Sequence, residues 1–126
     1  MDVTKVTPIL VVDAIEPCLP FWTGPMGYEK AVEVPHEGRL GFVLLTRAGG
    51  EIMMQTRASI AADLPALRLD VTCVLYMDVP SLDAALAEAQ GAEVLVPPRK
   101  TFYGAREAFL RDASGNVFGF AEHDKG

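Results

Sequence analysis

The alternation of apolar and polar positions divides the chain into short strand-like runs and helical stretches. Runs of β-branched and other apolar residues, bounded by turn residues, predict eight strands. They lie at about residues 4–12, 28–34, 40–47, 51–56, 70–77, 93–96, 107–111 and 117–122. Apolar residues at helical spacing, Leu82, Ala85, Leu86 and Ala89, predict a helix at about 81–90.

The stretch after the first strand predicts a less regular helix. Asp13 and Glu16 form a helix-capping pattern, but Pro17 and Pro20 each remove a helical N–H group. A further short helix at about residues 58–65 is predicted to connect the two halves of the chain.

Landmark residues recur at one spacing along the chain. Asp13 and Asp78 each close an apolar run and lie 65 residues apart, and Gly50 and Gly115, each before a predicted strand, have the same separation. Such a repeat indicates two copies of one motif, here strand, helix and three strands, and therefore an α+β fold of two βαβββ modules. Within a single domain of residues 1–126, module 1 spans about 1–57, a connector 58–69 and module 2 about 70–126.

Composition limits the classes of partner. The chain has 17 acidic and 11 basic residues, a formal net charge of −6 and no run of lysine or arginine, which argues against nucleic acid and favours a neutral or cationic small ligand. No apolar stretch approaches the roughly 18 residues of a membrane span, and the N-terminus lacks a signal pattern. We therefore expect a cytoplasmic protein with no membrane partner. Cys18 and Cys73 show no metal-binding spacing and are expected to be reduced, buried thiols.

Short motifs in both halves carry a family resemblance. They are TPILVVD at 7–13, FW at 21–22, MGY at 26–28, YGAREAF at 103–109, and D followed by GN at 112 and 115–116. In this order and spacing they resemble the vicinal oxygen chelate superfamily, also called the glyoxalase/bleomycin-resistance/dioxygenase fold. The resemblance implies two βαβββ modules whose curved mixed sheets surround a cavity, with helices on the outer face, and a homodimer.

Enzymes of that superfamily usually hold a divalent metal through four His, Glu or Gln side chains, one from the first and one from the last strand of each module. The resemblance places these positions at Val6 or Thr7, at Gln55 or Met54, at Asp70, Val71 or Thr72, and at Gly119. Gly119 stands where a glutamate is expected, and His36 and His123 lie away from these positions. The resemblance therefore narrows to the metal-free, bleomycin-resistance-like branch, with no cofactor expected and a divalent metal as the alternative.

Strand alternation predicts which side chains face the implied cavity. Thr72 and Tyr76 face inward from the fifth strand, whereas Cys73 and Leu75 are expected under the helices. Gly119 faces inward from the last strand, where small residues leave space, and Phe118 and Phe120 are expected on the helix-covered face. Gln55 is the polar side chain of an otherwise apolar run and is expected to meet a polar ligand. A core position for Tyr76 and a solvent contact for Gln55 remain open as structural alternatives.

Three further candidates lie around the next predicted hairpin. Phe102 and Tyr103 are expected in a loop at the cavity mouth, where aromatic rings stack on a planar ligand or anchor the loop. Glu107 begins a strand and is expected to point inward, binding a ligand amine or acting as a base, or else to form a surface ion pair with its neighbour Arg106.

Two functions follow from these features. The first is a metal-free protein that binds a small organic molecule, such as an antibiotic, in a groove at the dimer interface. The alternative is an enzyme of the same superfamily: a divalent-metal-dependent lyase, isomerase or dioxygenase with unconventional ligands including Gln55, or an acid–base enzyme with Glu107 as its catalytic residue. Fold alone does not decide between them.

Overall fold

The structure is a computed structural model that describes residues 1–67, 70–113 and 115–124. The strands are β1 (Lys5–Val12), β2 (Glu29–His36), β3 (Arg39–Arg47), β4 (Gly50–Thr56), β5 (Cys73–Asp78), β6 (Glu93–Lys100), β7 (Ala105–Arg111) and β8 (Val117–His123). The helices are α1 (Leu19–Thr23), which follows a 3₁₀ turn at Glu16–Cys18, α2 (Arg57–Asp63) and α3 (Leu82–Glu88). Within the described ranges, no helix is long and apolar enough to cross a membrane. Residues 68–69 of the predicted connector, Ser114 of the last predicted turn, and residues 125–126 lie outside the described residues.

The elements form two compact units, each built around one βαβββ motif. The first unit is Thr7–Cys73, and the second is Met1–Val6 together with Val74–Gly126. The N-terminal residues join the second unit through Thr4, whose backbone N–H donates to the Asp78 carbonyl at 2.9 Å, and through the amino group of Met1, 2.8 Å from Glu88 Oε2. The predicted α+β class with two βαβββ modules is confirmed.

The first unit has a four-stranded mixed sheet in the order β2-β3-β4-β1. Strands β1 and β4 are parallel, whereas β3 is antiparallel to both of its neighbours. Alternate residues of β3 and β4 bury their side chains in one core with Ile15, against the apolar side chains of α1. These strand residues are Val43, Leu45, Ile52 and Met54.

The helices agree with the proline pattern of the sequence, but the cap expected from Asp13 and Glu16 does not form. The 3₁₀ turn at Glu16–Cys18 has no side-chain cap, and Glu16 Oε2 instead accepts a hydrogen bond from the Leu40 backbone N–H at 2.8 Å. The segment containing Pro17 and Pro20 forms only a 3₁₀ turn and the five-residue helix α1, as the loss of two helical N–H groups predicts. Helix α3 begins after Ser81, whose hydroxyl accepts a hydrogen bond from the backbone N–H of Ala84 at 3.2 Å.

The second unit repeats this architecture in the order β5-β8-β7-β6. Strands β5 and β8 are parallel, and β7 is antiparallel to β6 and β8. One face of the sheet packs against α3 through Ala108, Leu110 and Phe120, with Phe118 beside them. The prediction that Phe118 and Phe120 lie on the helix-covered face is therefore confirmed.

Equivalent rows of three residues cross the two sheets. In the first unit the row is Val11, Gln55 and Phe42, and in the second it is Tyr76, Gly119 and Phe109. In both rows the middle residue belongs to the last strand of the motif and pairs with the first and third strands. Gln55 and Gly119 therefore occupy equivalent places, 64 residues apart, within one residue of the 65-residue repeat in the sequence.

Two expectations about β5 and the cysteines were wrong. Leu75 was expected under the helices but is 42% exposed, and Cys73, expected to be buried, is exposed. Helix α3 packs against Met77 towards the end of β5, and, because it has only seven residues, Leu75 and Cys73 are not part of that core. Cys18 is half-buried beside the core of the first unit.

Candidate functional site

Among the residues that the structure describes, Glu107 is the one charged residue whose side chain is buried, with 0% exposure. Its position follows from alternation along β7: Ala108 and Leu110 face α3, so Glu107 and Phe109 face the opposite side of the sheet. Burying an ionised carboxylate is costly unless it is paired and hydrogen-bonded. The groups that donate hydrogen bonds to Glu107 therefore determine the chemistry of this face of the second-unit sheet.

Four donor atoms surround the Glu107 carboxylate. The hydroxyls of Tyr76 and Tyr103 donate to Oε1 at 2.6 and 2.5 Å. The Nε and Nη2 groups of Arg99 donate to Oε2 at 3.1 and 2.8 Å. An ionised carboxylate has about four lone-pair sites, so these donors use its full capacity. We call these four residues the Glu107 cluster.

Arg99 reaches the cluster because β6 is irregular. The pairing of β6 with β7 shifts between Val96 and Arg99, a step that contains Pro97 and Pro98, and Arg99 then lies opposite Glu107. A bulge of this kind redirects a side chain from the face that simple alternation predicts. The sequence-based strand ended at Val96, so Arg99 was missed. The signal available in the sequence was a basic pair, Arg99 and Lys100, directly after two prolines.

Tyr103 reaches the cluster from the tight hairpin between β6 and β7. The hairpin is closed by a hydrogen bond from the Thr101 backbone N–H to the Ala105 carbonyl at 2.9 Å and another from the Ala105 N–H to Thr101 Oγ1 at 3.0 Å. Gly104 has a φ of 81°, a left-handed conformation that favours glycine. These features turn Tyr103 back over the sheet, where it meets Glu107.

The two tyrosines of the cluster are held as hydrogen-bond donors. Burial raises the pKa of Tyr76 far above the usual tyrosine range, and the charge of Glu107 raises it further. Burial also raises the pKa of Tyr103, followed by its hydrogen bond to Glu107. Both phenols therefore keep their protons at neutral pH, and neither acts as a base.

This arrangement predicts a specific loss of stability in alkali. An unfolded tyrosine ionises near pH 10, whereas the folded phenols of Tyr76 and Tyr103 remain protonated, so their stabilising contribution is complete below about pH 10 and decreases as the pH rises towards their raised folded pKa. Urea unfolding at several values between about pH 9 and pH 11 should show this decrease. A variant combining Tyr76→Phe and Tyr103→Phe should have a shallower slope, and equal slopes would contradict the assignment.

The space expected at Gly119 is filled by the ring of Phe109. A Cβ atom added at Gly119 would lie 2.7 Å from Phe109 Cε1 and 2.9 Å from its Cδ1, and Phe109 is itself buried and lies 6.1 Å, ring centre to ring centre, from Tyr76. The expectation of open space there was wrong, because the neighbouring strand supplies a ring that fills the place of the missing side chain. Phe109 was missed because its contact depends on strand register.

The other candidate residues differ in their surroundings. Phe102 lies at the tip of the β6–β7 hairpin, 86% exposed, with its ring centre 5.0 Å from that of Tyr103. Gln55 and Thr72 belong to the first unit: Gln55 Nε2 donates to Ser59 Oγ at 3.1 Å, and Thr72 is exposed and lies just before β5. Tyr76, Tyr103 and Glu107 are thus brought together, and a ligand role for each candidate, Gly119 included, stays a prediction.

The residues at the superfamily's metal positions do not fit a divalent metal site. Gly119 offers no side-chain donor atom and is covered by Phe109, and Met54 is fully buried in the apolar core. Gln55 bonds to Ser59 through Nε2 and not through the Oε1 atom that would bind a metal, so it is a single possible donor between two positions that offer none. Across the ranges that the structure describes, no three His, Cys, Asp or Glu side chains are grouped to hold a metal ion. His123, for example, pairs with Asp78 at 3.1 Å.

Each unit is a βαβββ motif whose first and last strands pair in parallel. Two such motifs in one chain define a class of α+β proteins built from paired modules. The sequence model of the Glyoxalase/Bleomycin resistance protein/Dioxygenase superfamily matches residues 5–120 of this chain. The chain therefore belongs to that superfamily, as the motifs predicted. Its assignment to the metal-free branch stays a prediction.

Solved structures share the fold at low sequence identity. A glyoxalase/bleomycin resistance protein/dioxygenase superfamily member from Vibrio splendidus 12B01 has a TM-score of 0.70 and 20% identity, covering 94% of this chain and 97% of that chain. Methylmalonyl-CoA epimerase from Mycobacterium tuberculosis has a TM-score of 0.70 and 19% identity, covering 98% of this chain and 90% of that chain. A comparison with curated protein sequences gives no match. These likenesses establish the fold and leave the activity to the residues of this chain.

Proposed function

We propose that this protein binds a small organic molecule without a metal ion, in the manner of a bleomycin-resistance-type protein that sequesters an antibiotic or similar compound. The proposal includes a cytoplasmic homodimer. The homodimer follows from the family resemblance alone, whereas the free thiols of Cys18 and Cys73 are consistent with a reducing compartment.

The Glu107 cluster is the observation that carries the proposal. It provides a buried, oriented polar group directly behind exposed aromatic side chains: Tyr103 is 45% exposed and Phe102 is 86% exposed. Ligand sites commonly combine apolar and aromatic contact area with a few fixed polar groups. Covering these rings with a planar molecule gains about 25 cal/mol for each Å² of apolar surface removed from water.

The same cluster favours binding over acid–base catalysis. Four donor atoms already occupy the Glu107 carboxylate, so it accepts a substrate proton only after losing a partner. Tyr76 and Tyr103 both have raised pKa values and hold their protons. The cluster therefore supplies oriented hydrogen bonds and no free base.

Ligand screening by thermal unfolding and calorimetry tests the proposal. A panel of neutral, cationic and anionic aromatic compounds should include members that raise the melting temperature in a concentration-dependent way, with no product detected by mass spectrometry. Phe102→Ala should weaken the binding of such a compound by about two- to tenfold, as expected for the loss of one aromatic contact.

Phe21→Ala is the matched control, because Phe21 is also an exposed phenylalanine, at 55%, that packs edge-on against its sequence neighbour, Trp22. It should leave the affinity unchanged. Conversion of the compound to a product, or equal effects of the two substitutions, would overturn the proposal.

A further inference from the structure

Tyr103 is the member of the Glu107 cluster that comes from a surface hairpin. We propose that its phenol occupies the place of a ligand's hydroxyl group: a neutral aromatic molecule that carries a hydroxyl displaces Tyr103 and donates to Glu107 Oε1. This inference rests on the proposed function and names the class of ligand.

The members of the cluster are held to very different degrees. Tyr76 lies within β5 and is 7% exposed. Arg99 contributes two N–H groups to Glu107 from within β6. Tyr103 is 45% exposed and donates one hydrogen bond, from its hydroxyl to Oε1. Tyr103 is therefore the donor whose release disturbs the fold least.

The backbone of the hairpin does not depend on the Tyr103 side chain. Thr101 and Ala105 close the hairpin through backbone and hydroxyl hydrogen bonds, and the N–H of Asp124 donates to the Gly104 carbonyl at 2.8 Å. Rotation of the Tyr103 side chain towards solvent breaks none of these bonds. A ligand hydroxyl that takes its place on Oε1 keeps the number of hydrogen bonds to Glu107 constant.

The charge and shape of the cluster select the ligand class. The carboxylate of Glu107 is paired with the guanidinium of Arg99 at 2.8 Å, so the pair has no net charge. A cationic or anionic group placed against it loses hydration without gaining a free counter-charge, whereas a neutral hydroxyl loses much less. The rings of Tyr76 and Phe109, 6.1 Å apart centre to centre and tilted by 36°, lie buried behind Tyr103, so the aromatic ring of the ligand would take the place of the Tyr103 ring beside them.

Chemical rescue of a truncated Tyr103 tests this inference. Tyr103→Ala removes the phenol, and p-cresol, which is the detached tyrosine side chain, should bind this variant about 10- to 100-fold more tightly than it binds the unmodified protein, because the competitor is gone. The methyl ether of p-cresol, which lacks the O–H donor, and benzylamine, which is cationic, should show little of this gain. Calorimetry and the rise in melting temperature measure all three compounds.

Two more variants keep the result decisive. Tyr103→Phe retains the ring, folds with minimal change, and should also bind p-cresol more tightly than the unmodified protein does. Tyr28→Ala removes a tyrosine of the first unit, beside Trp22 and Arg47, and should produce no gain. Absence of a gain in both Tyr103 variants, or an equal gain for the ether or the amine, overturns the inference.

The two proposals fail in different ways. If aromatic compounds bind the unmodified protein but the Tyr103 variants gain nothing for p-cresol, the displaced-phenol inference is wrong and the binding function stands. If p-cresol binds the variants and no compound of the panel binds the unmodified protein, Glu107 does accept from a hydroxyl in place of Tyr103, but the proposed function is wrong.

Discussion

Replacing Glu107 with alanine is expected to lower the free energy of unfolding by about 3–5 kcal/mol, as for other buried ion pairs that lose one partner. The substitution removes the carboxylate that pairs with the Arg99 guanidinium and that accepts from two tyrosine hydroxyls. Urea unfolding at neutral pH measures the change. Glu107→Gln should fall between the two proteins, because an amide oxygen still accepts from the tyrosines while the ion pair is lost.

Glu93→Ala is the matched control for this prediction. Glu93 also pairs with an arginine across β6 and β7, at 3.0 Å from Arg111, but its side chain is 61% exposed. An exposed pair contributes about 0–1 kcal/mol. Similar losses for Glu93→Ala and Glu107→Ala would show that the Glu107 cluster is not the buried, paired centre described above.

Replacing Gly119 with alanine is expected to lower the free energy of unfolding by about 1–3 kcal/mol, the usual cost of overpacking a core. The new Cβ would lie 2.7 Å from the Phe109 ring, and Phe109 is only 2% exposed, so the ring cannot move into solvent. The cost of Gly119→Ala should shrink when Phe109→Leu is present in the same chain. Urea unfolding of the two single variants and the double variant measures this coupling.

Gly50→Ala controls for the general effect of adding a methyl group to a glycine in a strand. Gly50 begins β4, and nothing lies within 4 Å of a Cβ added there. The stability of this variant should change by no more than about 1 kcal/mol. The contact between Gly119 and the Phe109 ring would be contradicted by either of two results. One is an unchanged free energy of unfolding for Gly119→Ala, and the other is a loss that is the same in the Phe109→Leu background.

The periodic features of the fold could be predicted from the sequence. The equal spacing of Asp13 and Asp78 and of the later glycines indicated two βαβββ modules, because a repeated motif repeats its turn and strand-end residues. The helix-covered positions of Phe118 and Phe120 followed from alternation along β8. These predictions depend on short-range periodicity, which a single sequence contains.

The chemistry of the site depends on contacts across strands, which periodicity does not reveal. Tyr76, Tyr103 and Glu107 were each candidates, but their convergence on one carboxylate oxygen required the register of β5, β7 and β8. Arg99 enters only through the shift at Pro97–Pro98. The covering of Gly119 by Phe109 likewise follows from their pairing across β7 and β8.

The equivalent rows in the two units place the same motif position in two different environments. Gln55 and Gly119 occupy the same place in their units, yet one is an amide bonded to Ser59 and the other a glycine beneath a phenylalanine ring. The family resemblance implies a metal donor at both places, and Gly119, covered by Phe109, supplies no side-chain donor at one of them. The difference between the rows supports the metal-free part of the proposal, whereas the Glu107 cluster supports the binding of a ligand.

The metal content of the purified protein tests that central claim most directly. Protein prepared without chelators and analysed by inductively coupled plasma mass spectrometry should carry no divalent metal in a ratio approaching one ion per chain. A stoichiometric ion of zinc, iron, manganese, cobalt or nickel, retained through purification, would contradict the account.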